Sequence, residues 1–206
     1  MSGWYLGALP GLCVFTAVVE LDAVHVGQWM LSRPMILGPM LGALCGVPWL
    51  GLAGGALVEL FCVDALPVGA SLPINGAVAV ASLVLLCAGP SAVPVSAAFP
   101  AALLLAWAYR AVEQTVRGAC VAVARRARDE AERGRPARLG RRVLSGLGLH
   151  AAATAAYLYA AASAAPLLGW GWDAAPAPAR RGLELAFMNA PWLGLGALLY
   201  SLRPRG

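Results

Sequence analysis

Polar residues are so sparse along this chain that its elements can be read from where they interrupt the apolar runs. The first run covers residues 4–21, with Trp4 and Tyr5 placed as an interfacial aromatic belt would be. It reads as a retained helix, although Pro10 and Gly11 weaken a straight one. It ends in ELDAVHVGQ, where Glu20, Asp22 and His25 form either a solvated helix end or part of a site. The next run, SRPMILGPMLGALCGVPWLGLAGGALVELF, is punctuated by Pro39, Pro48 and six glycines. Its two readings are a pair of tightly packed helices and a broken hairpin whose freed backbone lines a polar cavity. Arg33 and Glu59 flank it, which favours the broken hairpin.

The segment VDALPVGASLPIN then reads as a loop, although an unusually apolar one. A helix is expected over residues 76–88, a turn at GPSAVP, and a second helix from residue 95 through 109 that continues toward Gly134. Its later part mixes charges with apolar positions, the pattern of a helix leaving the membrane for water. An alanine-rich span follows over residues 144–172, then GWGWDAAPAPARR as an outer loop, then a last span over residues 182–202. His150, near the start of its span, reads as a satisfied interfacial residue rather than a proton carrier. Glu184 and Asn189 lie five apart and share no helix face well.

Composition sharpens this picture. Of 206 residues, 60% are hydrophobic and 12% charged, about half the charge of a soluble domain. Several runs approach the roughly 20 residues that cross a hydrocarbon core about 30 Å thick. The fold class is therefore all-α, a polytopic integral membrane protein with broken or re-entrant helical hairpins in one domain over residues 1–206. The net charge of +5 is concentrated at residues 117–142, where nine arginines face three acids. That excess marks a cytoplasmic loop. With no aromatic residues interleaved, it is not read as a nucleic-acid arm.

The five cysteines are scattered singly, so neither a metal site nor a disulfide framework is suggested. There is no GxSxG elbow, HExxH pair or phosphate-binding GxxxxGK[ST] loop. Catalytic residues and cofactors of its own are not expected.

Candidate chemistry gathers in residues 28–75, where Arg33, Glu59, Asp64 and Asn75 stand between apolar runs broken by Gly and Pro. Ionisable groups inside a membrane are costly and mark pathways. Broken helices at the midplane are how transporters build their sites. Carboxylates and amides suit a neutral, hydroxyl-rich solute. The same residues could instead form a structural ion pair, Arg33 with Glu59, holding two broken helices together.

Three runs carry a resemblance: Q-x-x-x-S-R-P at residues 28–34, G-A-L-V-E at 55–59, and L-P-V-G-A-S-L-P-I-N at 66–75. In order and spacing they resemble the membrane subunit IIC of the mannose/fructose/sorbose family of bacterial sugar phosphotransferase systems (PTS). The match is best over residues 20–85; beyond that it rests on helix spacing and the basic loop. The resemblance carries over Arg33, Glu59, Gly69 and Asn75; with Gln28 and Asp64 from the polar stretch itself, the expected substrate-binding set is Gln28, Arg33, Glu59, Asp64, Gly69 and Asn75. It also implies a IID membrane partner in a trimer of IIC–IID pairs, cytoplasmic IIA and IIB proteins that supply phosphate, and a place in the inner membrane among lipid. Sugar would move in a mobile core domain past a scaffold.

Three departures stand out. Asn75 occupies a position usually held by aspartate, with Pro73 one place early. Gly27 and Gln28 stand where an acid would precede x-R-P, with Asp22 further upstream. The chain ends at Gly206, as though shortened by a C-terminal hairpin. A non-transporting regulatory or assembly subunit, and an unrelated channel or carrier, are the competing expectations.

Overall fold

The structure is a computed structural model that describes residues 3–23, 25–62, 74–133 and 139–202. Every regular element among the described residues is helical. A π-helical turn (Trp4–Ala8), helix α1 (Leu9–Glu20) and a 3-10 turn (Leu21–Ala23) form one apolar helical run of 20 residues. Pro10 falls in the first turn of α1, where a missing N–H costs nothing. The run is not interrupted there.

Helices α2 (Pro34–Leu44) and α3 (Pro48–Phe61) form an antiparallel hairpin turned at residues 45–47. At 1.5 Å per residue they reach only about 16 and 21 Å, short of the hydrocarbon core. The hairpin is therefore re-entrant in length. Its limbs are also tightly packed, as the first of the two expected readings has it. A Cβ built on Gly51 would lie 2.2 Å from the Gly38 carbonyl oxygen, and one on Gly38 would lie 2.4 Å from the Gly51 oxygen. Only glycine permits this approach. Pro39 was expected to break the run but lies inside α2. One missing intrahelical hydrogen bond is tolerable where neighbouring helices hold the segment. Pro48 begins α3 instead of ending anything.

Helix α4 (Gly76–Ala88) is the axle of the molecule. Every residue from Ala77 to Leu86 is buried, as expected of a helix apolar on all sides. Around it pack α1, α2, α3, α5 (Val95–Glu132) and α6 (Leu139–Ser163). With 38 residues, α5 is about 57 Å long and must project beyond the membrane. Near its far end Arg128 pairs with Glu132, and Glu130 reaches Arg142 at the start of α6.

After a step at Ala164, α7 (Ala165–Ala174) continues α6, giving a 36-residue helical run. The expected loop over residues 169–181 is corrected here: it is helical except around residues 175–176. Pro176 precedes α8 (Ala177–Ser201) as its N-cap. The Trp-Gly-Trp segment is apolar enough to remain helical within the membrane, so a turn of two residues suffices.

Helix α8 lies outside the core against α3 and α5, burying Ala190 and Gly194 and joining the Phe61–Phe99–Phe187 edge-to-face stack. Four helical runs are long and apolar enough to cross a membrane: Trp4–Ala23, Val95–Glu132, Leu139–Ala174 and Ala177–Ser201. The chain is an all-α, multi-pass membrane protein.

Candidate functional site

The connection from α1 to α2 is held by one buried carboxylate. Asp22 accepts the N–H groups of Trp29 through Oδ1 and of Leu31 through Oδ2, both at 2.8 Å. Gly27, Gln28 and Met30 take positive φ in this turn, at 78°, 56° and 66°. A non-glycine residue there is uncommon, so the two Asp22 bonds compensate for a turn that local preference disfavours. Gln28 contributes its backbone N–H to the Val26 carbonyl, and its side chain is exposed.

The turn delivers Arg33 to the N-cap position of α2. Its guanidinium donates from Nη1 to Glu59 Oε1 at 2.8 Å. The other oxygen of Glu59 accepts the Met35 N–H at 3.3 Å. One carboxylate thus pairs with a cation and satisfies a free N–H at the positive end of a helix. The pair remains half open, with side-chain exposures of 54% for Arg33 and 24% for Glu59.

Asn75 caps α4. Its Oδ1 accepts the Val78 N–H at 3.1 Å, and its Nδ2 donates to Glu20 Oε1 at 2.9 Å. The second oxygen of Glu20 lies 2.8 Å from His150 Nε2. Carboxylate and imidazole nitrogen are thus within hydrogen-bond distance of each other. Both residues are 4% exposed. The exposed His25 ring sits 4.8 Å, centroid to centroid, from the His150 ring. One turn along α6, Thr154 donates to the His150 carbonyl at 3.0 Å, and its hydroxyl meets that of Tyr109 on α5 at 2.7 Å. Glu113, one turn beyond Tyr109, accepts from Arg117. A polar seam therefore runs inside the helical core between α1, α5 and α6.

The two groups meet at the hairpin's open end. A Cβ on Gly76 would lie 2.8 Å from Pro34 Cγ and 3.5 Å from Cys62 Sγ. The N-termini of α2 and α4 and the C-terminus of α3 therefore converge, bringing Arg33, Glu59 and Asn75 together. Of the remaining expected site residues, Gln28 lies on the exposed turn before Arg33. Asp64 and Gly69 fall outside the described residues.

The sequence reading placed His150 at an interface; the structure buries it on Glu20. Glu20 itself was left undecided between solvent and site, and it is buried. A readable signal existed in the spacing of His150, Thr154 and Tyr157, which share one face of α6, but nothing local identified what that face meets. The carboxylate missing at position 75 stands 2.9 Å away as Glu20. Among the described residues no group of three His, Cys, Asp or Glu side chains could hold a metal ion.

Comparison with known proteins comes down to one family and one fold. The family model for the PTS system sorbose-specific IIC component matches residues 8–204. A solved structure described as "Structure of membrane protein" superposes with a TM-score of 0.79 at 20% identity, covering 97% of this chain and 81% of the other. The cryo-EM structure of the mannose transporter ManYZ with microcin E492 gives a TM-score of 0.66 at 21% identity, covering 96% of this chain and 80% of that one. No curated protein matches the chain.

Proposed function

The chain belongs to the family of sorbose-specific IIC components of the phosphotransferase system, and on that premise we propose that it is the sugar-translocating membrane subunit. One observation carries this reading: three helix ends converge at the hairpin's open end and bring Arg33, Glu59 and Asn75 together. Two of those ends are N-termini, the partially positive ends of their helices. With one cation, one carboxylate and one amide, the set is close to electrically balanced. It suits a neutral solute with many hydroxyls better than an ion. The turn carrying Gln28 borders the set.

In this reading the short, glycine-packed hairpin lines the sugar path, and the long spans hold it in the membrane. A IID subunit completes the site in a trimer of IIC–IID pairs. Cytoplasmic IIA and IIB proteins phosphorylate the sugar at the end marked by the arginine-rich tip of α5 and α6. The location is the bacterial inner membrane. A fold shared with a mannose transporter supports sugar as the cargo class.

A second reading has its own observation. Arg33 and Glu59 satisfy each other at 2.8 Å, as a structural clamp would. A regulatory or assembly subunit would need no more. Phosphorylation-coupled uptake separates the two, measured in cells lacking their own permeases and expressing this chain with its membrane and cytoplasmic partners. Translocation predicts uptake that Glu59→Gln abolishes while the complex still purifies intact. An intact complex that moves no sugar would establish the regulatory reading.

A further inference from the structure

The Asn75 carboxamide has two N–H donors and two oxygen lone pairs. Val78 N–H occupies one lone pair, and Glu20 takes one of the donors. Among the described residues, one donor and one acceptor remain. Reversing the amide would set its oxygen against the Glu20 carboxylate and its NH2 group against a backbone N–H. Both partners therefore enforce one orientation. The Val78 bond is an ordinary helix cap, three residues away in the chain, and several short polar side chains could make it. The Glu20 bond reaches across 55 residues and is charge-assisted, which makes it the stronger constraint.

Glu20 is in turn held. It ends α1, is 4% exposed, and gives its second oxygen to His150, also 4% exposed. His150 is backed by the His25 ring and by the Thr154–Tyr109 hydroxyl pair. From outside the hairpin, Glu20 of α1 thus reaches the amide, and His150 of α6 holds Glu20 in turn.

We propose that Glu20 and His150 are positioning residues: they fix which way Asn75 presents its remaining donor and acceptor, and so set the hydroxyl pattern the site accepts. This rests on the sugar-transport reading above. Glu20 acts through Asn75, so the effects of changing the two are not additive. Exchanging the charge between them preserves the bond between positions 20 and 75 but leaves position 75 with acceptors only. Asn75→Asp alone opposes two carboxylates, whereas Asn75→Asp with Glu20→Gln restores one carboxylate and one amide.

The test is coupled uptake of a panel of hexoses that differ at single hydroxyls, with KM and Vmax normalised to assembled complex. Asn75→Asp should raise KM by about tenfold or more, the loss expected of a charge-assisted bond. Adding Glu20→Gln should bring KM back to within about threefold of the parent for at least one sugar of the panel, with the ranking changed because position 75 then only accepts. Glu20→Ala should raise KM by about tenfold in the parent but by less than about twofold where Asn75 is already Ala. Damage that is only structural lowers the amount of complex and Vmax and leaves KM and the ranking alone.

Equal KM effects of Glu20→Ala in both backgrounds, or a charge swap that leaves KM as high as Asn75→Asp alone for every sugar of the panel, would overturn the proposal while a transporting parent upheld the function. Should Glu20→Ala fail to assemble, the charge swap decides alone. A parent protein that moves no sugar overturns the transport reading and this inference with it.

Discussion

Two acidic residues meet basic partners at the mouth of the hairpin, in opposite surroundings. Glu59 and Arg33 join α3 to the start of α2 with side chains 24% and 54% exposed. Glu20 and His150 join α1 to α6 with side chains 5% exposed on each side. The first pair has room to exchange its partner for a solute. The second cannot release either member without stranding a polar group in a nearly dry core. Exposure therefore separates a group that can bind from a group that holds, although both are carboxylates at similar hydrogen-bond distances. Asn75 stands between them, capping α4 with its oxygen and bonding the buried carboxylate with its nitrogen.

The sharpest way to break this comparison is to remove the buried partner. His150→Ala leaves one Glu20 oxygen without a partner while Asn75 keeps the other, and a buried acceptor stranded in this way costs about 1–3 kcal/mol, more for a charged group. A large drop in the thermal midpoint of the detergent-purified protein is expected; an unchanged midpoint would mean that water reaches Glu20. Next in size is the hairpin on which the exposed pair depends. Gly51→Ala drives a methyl group into the Gly38 carbonyl, a backbone clash that no rotamer relieves. Overpacking of this kind costs about 1–3 kcal/mol, and uptake should fall with it as α2 and α3 separate. Normal melting and transport by that variant would show that the two backbones are not in contact.

The exposed pair itself should matter little to stability. Glu59→Gln should shift unfolding by no more than about 1 kcal/mol, the scale of a half-exposed ion pair, while eliminating uptake. A melting loss comparable to that of His150→Ala would make Glu59 a clamp and erase the contrast. Smallest of all is the far tip of α5. Arg128→Ala removes an exposed i,i+4 pair with Glu132 worth about 0.3–0.5 kcal/mol. Melting should be indistinguishable from the parent, and a clear loss there would mean that the tip is packed against something.

The Arg33–Glu59 pair was legible in advance because apolar flanks isolate two opposite charges within one short hairpin, 26 residues apart. The Glu20–His150 pair was not, since 130 residues separate its members. His150 was assigned to an interface because its position near the start of an apolar span is where such residues are commonly satisfied. What overrode that is the length of α5 and α6: both extend well past the membrane, so a residue 11 positions after Leu139 lies deep within the bundle. The same kind of error made the Trp-rich segment after residue 169 a loop. Its glycines and its proximity to prolines suggested a break, while its apolar side chains favoured continuing the helix.

By itself the sequence determined the apolar runs, the start and end of α4, the start of α5, the basic tip and the family. Each of these follows from local sums: a run of apolar residues meets the same hydrocarbon wherever it sits, and a cap or a turn involves neighbours in the chain. Only the tertiary structure decided that Pro39 stays inside a helix, that glycine backbones touch at Gly38 and Gly51, and that Asn75 is held by Glu20. Those outcomes depend on which helix faces meet. Burial makes a polar group find a partner, but the choice of partner belongs to the packing of elements far apart in the chain.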